Sequence, residues 1–115
     1  MANTFKVVTK AGVTSADVIY TAGSGVTAIV LGLILGNTTT SQITSTVSLD
    51  TNTGSRAGAN DEANQAVELI TDAPIPAGSS LELLSGNKVV LETTDTISVT
   101  GSGATDVALS IMEIT

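Results

Sequence analysis

The chain has no cysteine, no histidine and no tryptophan among its 115 residues. Without cysteine, neither a disulfide framework nor a thiolate metal site can form. Without histidine, the commonest general base and the commonest metal ligand are missing, and serine-histidine and cysteine-histidine catalysis are excluded. Aromatic residues amount to 2% of the chain, as Phe5 and Tyr20. A core must therefore be built from Val, Ile, Leu and Ala, and the stacked rings that usually hold sugars are lacking.

Basic residues are also scarce. Lys6, Lys10, Arg56 and Lys88 are scattered along the chain, against 11 acidic residues, for a net charge of −7. Nucleic-acid binding needs a clustered basic footprint that displaces counterions from phosphates, and none exists here. The acidity is more simply a means to solubility. Long apolar runs are missing too. The longest, Val26 to Gly36, is about half of the roughly 20 residues a membrane-spanning helix requires. The N-terminal MANTFKVVTKAG has no apolar core of a signal peptide, so neither secretion nor a membrane partner is expected.

What remains is a chain of strand and turn formers. Its 19 Thr and 12 Ser stand beside many Val, Ile and Gly. Thr, Val and Ile suit a pleated strand, while Ser, Gly and Asn suit turns. Strands are predicted at 4–9, 16–21, 26–37, 42–50, 65–72, 79–84, 87–92, 95–100 and 105–114, with short turns between them such as Ser85-Gly86-Asn87. Alternation supports several of these. Ile43, Val47 and Leu49 share one face and Gln42, Thr44, Thr46 and Ser48 the other. Ile97 and Val99 oppose Thr96, Ser98 and Thr100, and Val107, Leu109 and Ile111 line one face. The expectation is an all-β fold: a single antiparallel β-sandwich over 1–115, either jelly-roll or immunoglobulin-like.

Two stretches break the pattern. Residues 28–36 are apolar on both faces under strict alternation, with Ile29, Leu31, Leu33 and Leu35 on one and Ala28, Val30, Gly32, Ile34 and Gly36 on the other. One face of a sandwich sheet ordinarily meets water, so the second set calls for a covering loop or another subunit, and contiguous exposed apolar surface favours the subunit. Ala28, Val30 and Ile34 are accordingly candidate interface residues in a homo-oligomer. The other stretch, 50–64 (DTNTGSRAGANDEAN), is the longest polar run. It carries Arg56 as a candidate interface residue, although a solvated loop charge is the simpler reading of it. Part of 60–68 is predicted as a helical turn capped by Asn60 or Asp61.

An internal echo joins two segments. Asp17–Ile34 and Asp95–Met112 align without gaps and share Gly23/Gly101, Ser24/Ser102 and Gly25/Gly103. Both read as strand, Gly-Ser-Gly hairpin turn, strand, and turn chemistry alone accounts for much of the match.

Motifs that carry chemistry are absent or incomplete. Gly23-Ser24-Gly25 has no following lysine, as a Walker-type loop needs. The string GSGVTA partly matches a dinucleotide fingerprint but leads into a strand instead of a helix. Asp50, Asn52, Asp61 and Glu62 do not meet the EF-hand spacing. Glu82, Glu92 and Glu113 are candidate glycosidase carboxylates only in number, since no aromatic platform accompanies them. Asn37-Thr38-Thr39 matches a glycosylation sequon but reads as turn chemistry without a secretion signal. No catalytic residue, metal or cofactor is expected.

The second half, DAPIPAGSSLELLSGNKVVLETTDTISVTGSGATDVALSIMEIT, resembles small virion proteins of tailed phages, notably marine cyanophages. Their pattern is a proline-flanked PIPAGSSLEL, then KVVLE..DTISVT, then a last strand ending in EIT. In the first half, ADVIYTAGSGVTAIVLGLILGNTT is similar to VYT followed by TAIVLGL.LANTT in the same proteins. The resemblance spans nearly the whole chain and implies a β-sandwich located in the virion. There it would act as a non-enzymatic structural protein, most simply a capsid decoration (cement) protein that binds the major capsid protein or other virion proteins through several contacts. It leaves open a tail, neck or baseplate position, and a receptor- or glycan-binding module is the alternative from another class. It carries over no functional residues. Residues 28–36 and the first and last strands are the expected contact elements.

Overall fold

Gly, Ser, Asn and Pro cut the chain into segments rich in β-branched residues, and each segment is a strand. The computed structural model describes residues 2–52, 65–84 and 87–115. Among them are nine strands: β1 (Asn3–Val13), β2 (Asp17–Thr21), β3 (Thr27–Asn37), β4 (Ile43–Thr51), β5 (Gln65–Ile75), β6 (Ser80–Leu83), β7 (Val89–Leu91), β8 (Thr96–Gly101) and β9 (Thr105–Ile114). All nine predicted strands are present. The helical turn expected within 60–68 is corrected from residue 65 onward, where Gln65–Glu68 open β5. Asn60, Asp61 and Arg56 lie outside the described residues. No helix occurs among the described residues, so none is long and apolar enough to cross a membrane.

The strands form two antiparallel sheets. The first runs β1-β9-β3-β6, with β7 also on β3; the second runs β2-β8-β4-β5. Pairings are nested: β4 with β5, β3 with β6 and β7, β2 with β8, and β1 with β9. A long hairpin rolled across two sheets gives this order, which is that of a jelly roll and not of an immunoglobulin domain. The fully buried hydrophobic side chains are all aliphatic. Val30, Leu33 and Leu35 of β3, Leu109 and Ile111 of β9, Val47 of β4 and Ile97 and Val99 of β8 meet between the sheets. The alternation read in β4, β8 and β9 is the alternation of their burial.

The Gly-Ser-Gly segments are not hairpin turns. β2 lies in the second sheet and β3 in the first, and the same holds for β8 and β9. Each segment is a corner at which the chain changes sheets. The two corners also use glycine differently. The first is closed by Val26 N–H donating to the Gly23 carbonyl at 3.1 Å, and Gly25 takes φ +72° in open space. The second docks on β4, where the Ser102 amide donates to the Thr44 carbonyl and the Thr44 amide to Ser102 Oγ. There a Cβ on Gly101 would lie 2.6 Å from the Val13 carbonyl oxygen, and one on Gly103 2.7 Å from Ile43 Cγ2.

Candidate functional site

β3 is the strand on which the structure departs most from simple alternation. Its register on β9 pairs Val30 with Ile111 and Gly32 with Ser110, so Leu31 is an extra residue, a β-bulge. A bulge reverses which parity faces inward. Ala28 and Val30 point into the core before it, and Leu33 and Leu35 after it. Both parities must therefore be apolar, and much of the two-sided apolar pattern is explained within the chain. The neighbouring edge changes at the same point, with β7 pairing residues 28–30 and β6 pairing residues 33–36. Of the candidate interface residues, Ala28 and Val30 are corrected to core positions, each 0% exposed, while Ile34 faces outward at 46%.

The outer face of this first sheet is nevertheless apolar, through residues that the sequence reading did not single out. Register aligns Phe5 of β1 with Met112 of β9, Met112 with Ile29 of β3, and Ile29 with Val90 of β7. The four form one row across the sheet, ending in Phe5 at 71% and Val90 at 46% exposure. Val7, 64% exposed, continues the surface along β1. Two rows further, Thr9, Ala108 and Ile34 line up, and beyond them Ala11, Asp106 and Gly36 border a groove of about 360 Å³. Small side chains make that groove: alanine and glycine leave the backbone of β9 and β3 as its floor. The three elements expected to make contacts, β1, β3 and β9, are thus adjacent strands of one sheet.

On β1 the apolar Phe5 and Val7 face outward, opposite Met112 and Ser110 of β9. Lys6 and Lys10 share the inward parity, opposite Ile111 and Val107. Their long stems reach the side of the sandwich, where Lys6 Nζ meets Glu113 at 2.8 Å and Lys10 Nζ meets Asp17 at 3.3 Å. Tyr20 of β2 donates its hydroxyl to the other Glu113 oxygen at 2.5 Å. The Lys6 hydrogen bond first, and then that of Tyr20, hold the Glu113 carboxyl below its ordinary value. Burial, and then the hydrogen bond and charge of Glu113, push the Tyr20 phenol well above its ordinary range. Inward-pointing lysines on an edge strand also discourage edge-to-edge pairing.

The outer face of the second sheet is different in kind. Thr44, Thr46 and Ser48 of β4 stand beside Thr96, Ser98 and Thr100 of β8, with Thr46 opposite Thr100 and Ser48 opposite Ser98. Its edge strand β5 carries bulges on either side of the Val47–Ile70 pair, and Asp72 there takes φ 48°. The sandwich therefore has one apolar and one hydroxyl-rich outer face.

The remaining polar candidates serve the fold. Asn37 is buried: its amide donates to the Ser41 and Ile75 carbonyls at 2.8 and 2.9 Å and accepts from the Thr39 amide and hydroxyl. The sequon asparagine is thus enclosed as a structural tie. Asp95, fully buried, accepts from the Asn52 and Glu92 amides at 2.8 and 3.0 Å and so holds the end of β4 to the β7–β8 connection. Glu82 faces outward beside Ile34, and Glu113 is engaged as described. Among the described residues no three of His, Cys, Asp and Glu converge as a metal site.

No protein-family model and no curated protein matches the chain. Among solved structures it is similar in outline to one described as "Bacillus endospore appendages form a novel family of disulfide-linked pili", at a TM-score of 0.48 and 16% identity over 99% of this chain and 87% of that chain. The disulfide linkage of those pili has no counterpart in a chain without cysteine.

Proposed function

We propose that this protein is a non-enzymatic structural component of a phage particle, with the apolar outer face of the first sheet as its assembly surface. The carrying observation is the asymmetry of the two outer faces. A contiguous apolar face on an acidic protein marks a contact surface. The hydroxyl-rich face opposite it is suited to water. The residue inventory supports a role without chemistry, since it offers neither histidine nor thiol. Residues 16–39 and 72–115 resemble small phage virion proteins, which supports the particle, and capsid decoration is the position we favour. A jelly roll serves many functions and lends no weight of its own.

The test is cosedimentation of the purified chain with shells of the major capsid protein, beside isolated tails and host cells. Saturable binding to shells supports decoration. Binding to tails alone moves the protein to the tail, neck or baseplate, and binding to cells alone favours receptor recognition.

A further inference from the structure

We propose that the outer face of the first sheet pairs with the same face of a second copy about a two-fold axis, the Phe5 ring of each entering the groove beside Thr9 and Ala108 of the other. The inference rests on reading that face as an assembly surface and names its partner.

Knob and hole lie on one face of one chain. Phe5, the sole phenylalanine, is 71% exposed on β1. The groove of about 360 Å³ is larger than a phenyl ring and is floored by small residues. Two-fold pairing is self-complementary, so one knob and one hole per copy give two equivalent contacts. The axis crosses the strands along the row Val7, Ser110 and Gly32, midway between the Phe5 row and the groove.

Charge selects this orientation. On the outward positions of these strands, among the described residues, the charged groups are Glu82 and Asp106, both acidic and at the groove end; Lys10, which also lines the groove, is paired with Asp17. An axis along the strands would bring the acidic ends together. An axis across them sets Asp106 over Ile114 and Glu82 over Val90 of the other copy, both uncharged. Area is sufficient as well. Four strands at ~4.8 Å spacing and residues 3–11 at ~3.3 Å rise make a face of roughly 600 Å², so two copies cover about 1,200 Å², the lower bound for a specific interface.

The absence of cysteine makes the test clean. Val7→Cys and Ser110→Cys sit on the axis, so each opposes its own copy, and paired sheets lie ~10 Å apart, within reach of a short bis-maleimide. We expect both to crosslink to dimers, and Phe5→Cys mixed with Ala108→Cys to crosslink better than either alone. Ser48→Cys, on the hydroxyl-rich face, should not crosslink. Light scattering should show a dimer for the unmodified chain, and Phe5→Ser should weaken it by roughly 30-fold or more, with an unchanged far-ultraviolet spectrum. Should Phe5→Ser fail to fold, the crosslinking pattern decides. A monomer at every concentration, or crosslinking of Ser48→Cys as efficient as that of Val7→Cys, overturns the pairing. A monomer that still binds shells overturns the pairing alone; a dimer that ignores every particle overturns the virion role alone.

Discussion

The Tyr20 hydroxyl donates to the Glu113 carboxylate at 2.5 Å, and this bond ties β2 of one sheet to β9 of the other. Lys6 completes it from β1. The cluster closes the side of the sandwich between the edge strands β1 and β2.

A pH dependence follows. The folded-state pKa of Glu113 is lowered from 4.5, so its stabilisation is present above that value and is lost as the pH falls through the folded pKa. Tyr20 works in the opposite direction: its raised pKa leaves stability intact below 10.0 and removes it as the pH climbs beyond. Tyr20→Phe should cost about 1–2 kcal/mol at pH 7. The cost should shrink once Glu113 is protonated. Urea unfolding of both proteins in neutral and strongly acidic buffer measures this.

Asn37→Ala should destabilise by about 2–4 kcal/mol, because it deletes four hydrogen bonds and leaves the Ser41 and Ile75 carbonyls without the amide in a buried site. Asn37→Asp should be comparably harmful, since the carboxylate has no N–H for those carbonyls. Thermal melts of the two variants check the pair.

Gly25→Ala and Gly101→Ala should separate sharply. At Gly25 a methyl meets open space and the cost is that of a left-handed backbone, roughly 1–2 kcal/mol. At Gly101 it meets Thr105 Oγ1 at 2.5 Å and the Val13 carbonyl oxygen at 2.6 Å, so the corner must shift. We expect a loss there of about 3 kcal/mol or more. Equal melting temperatures for the two variants would contradict the assignment of different roles.

The bulge predicts a parity effect on β3. Val30→Asp buries an unpaired charge and should prevent folding. Ile34→Asp, four residues on and of the same parity in sequence, should keep the fold, with a stability change within about 1 kcal/mol. Circular dichroism of the soluble fractions distinguishes this from uninterrupted alternation, under which both would behave alike.

Nine strands were legible because the Gly, Ser, Asn and Pro clusters between them are local signals, as at Pro76–Ser79, where the Ser79 amide closes a turn on Pro76. Burial parity was legible in β4, β8 and β9, where one register holds or nearly holds. It failed in β3, since Leu31 is an extra residue only with respect to β9, a partner some eighty residues away. The two faces of β1 were not legible from its own residues. Phe5 and Val7 look like core residues until the partner strand shows that Lys6 and Val8 share the inward side. The Gly-Ser-Gly corners were recognisable as turns, but whether a turn returns to its own sheet is decided by strands elsewhere.

The nested pairing has a kinetic consequence. The strands of the innermost pair, β4 and β5, are joined directly in sequence, and each outer pair closes a longer loop, until β1 meets β9 with Asn3 opposite Ile114. Chain entropy then favours an order of events: the centre closes first, and the two ends zip last over a surface already formed. Folding should fall in the slow range of all-β proteins, milliseconds to seconds. The apolar face, which depends on β1 lying beside β9, would be completed only at the final step, so a half-folded chain would not yet present the whole of its assembly surface to its neighbours.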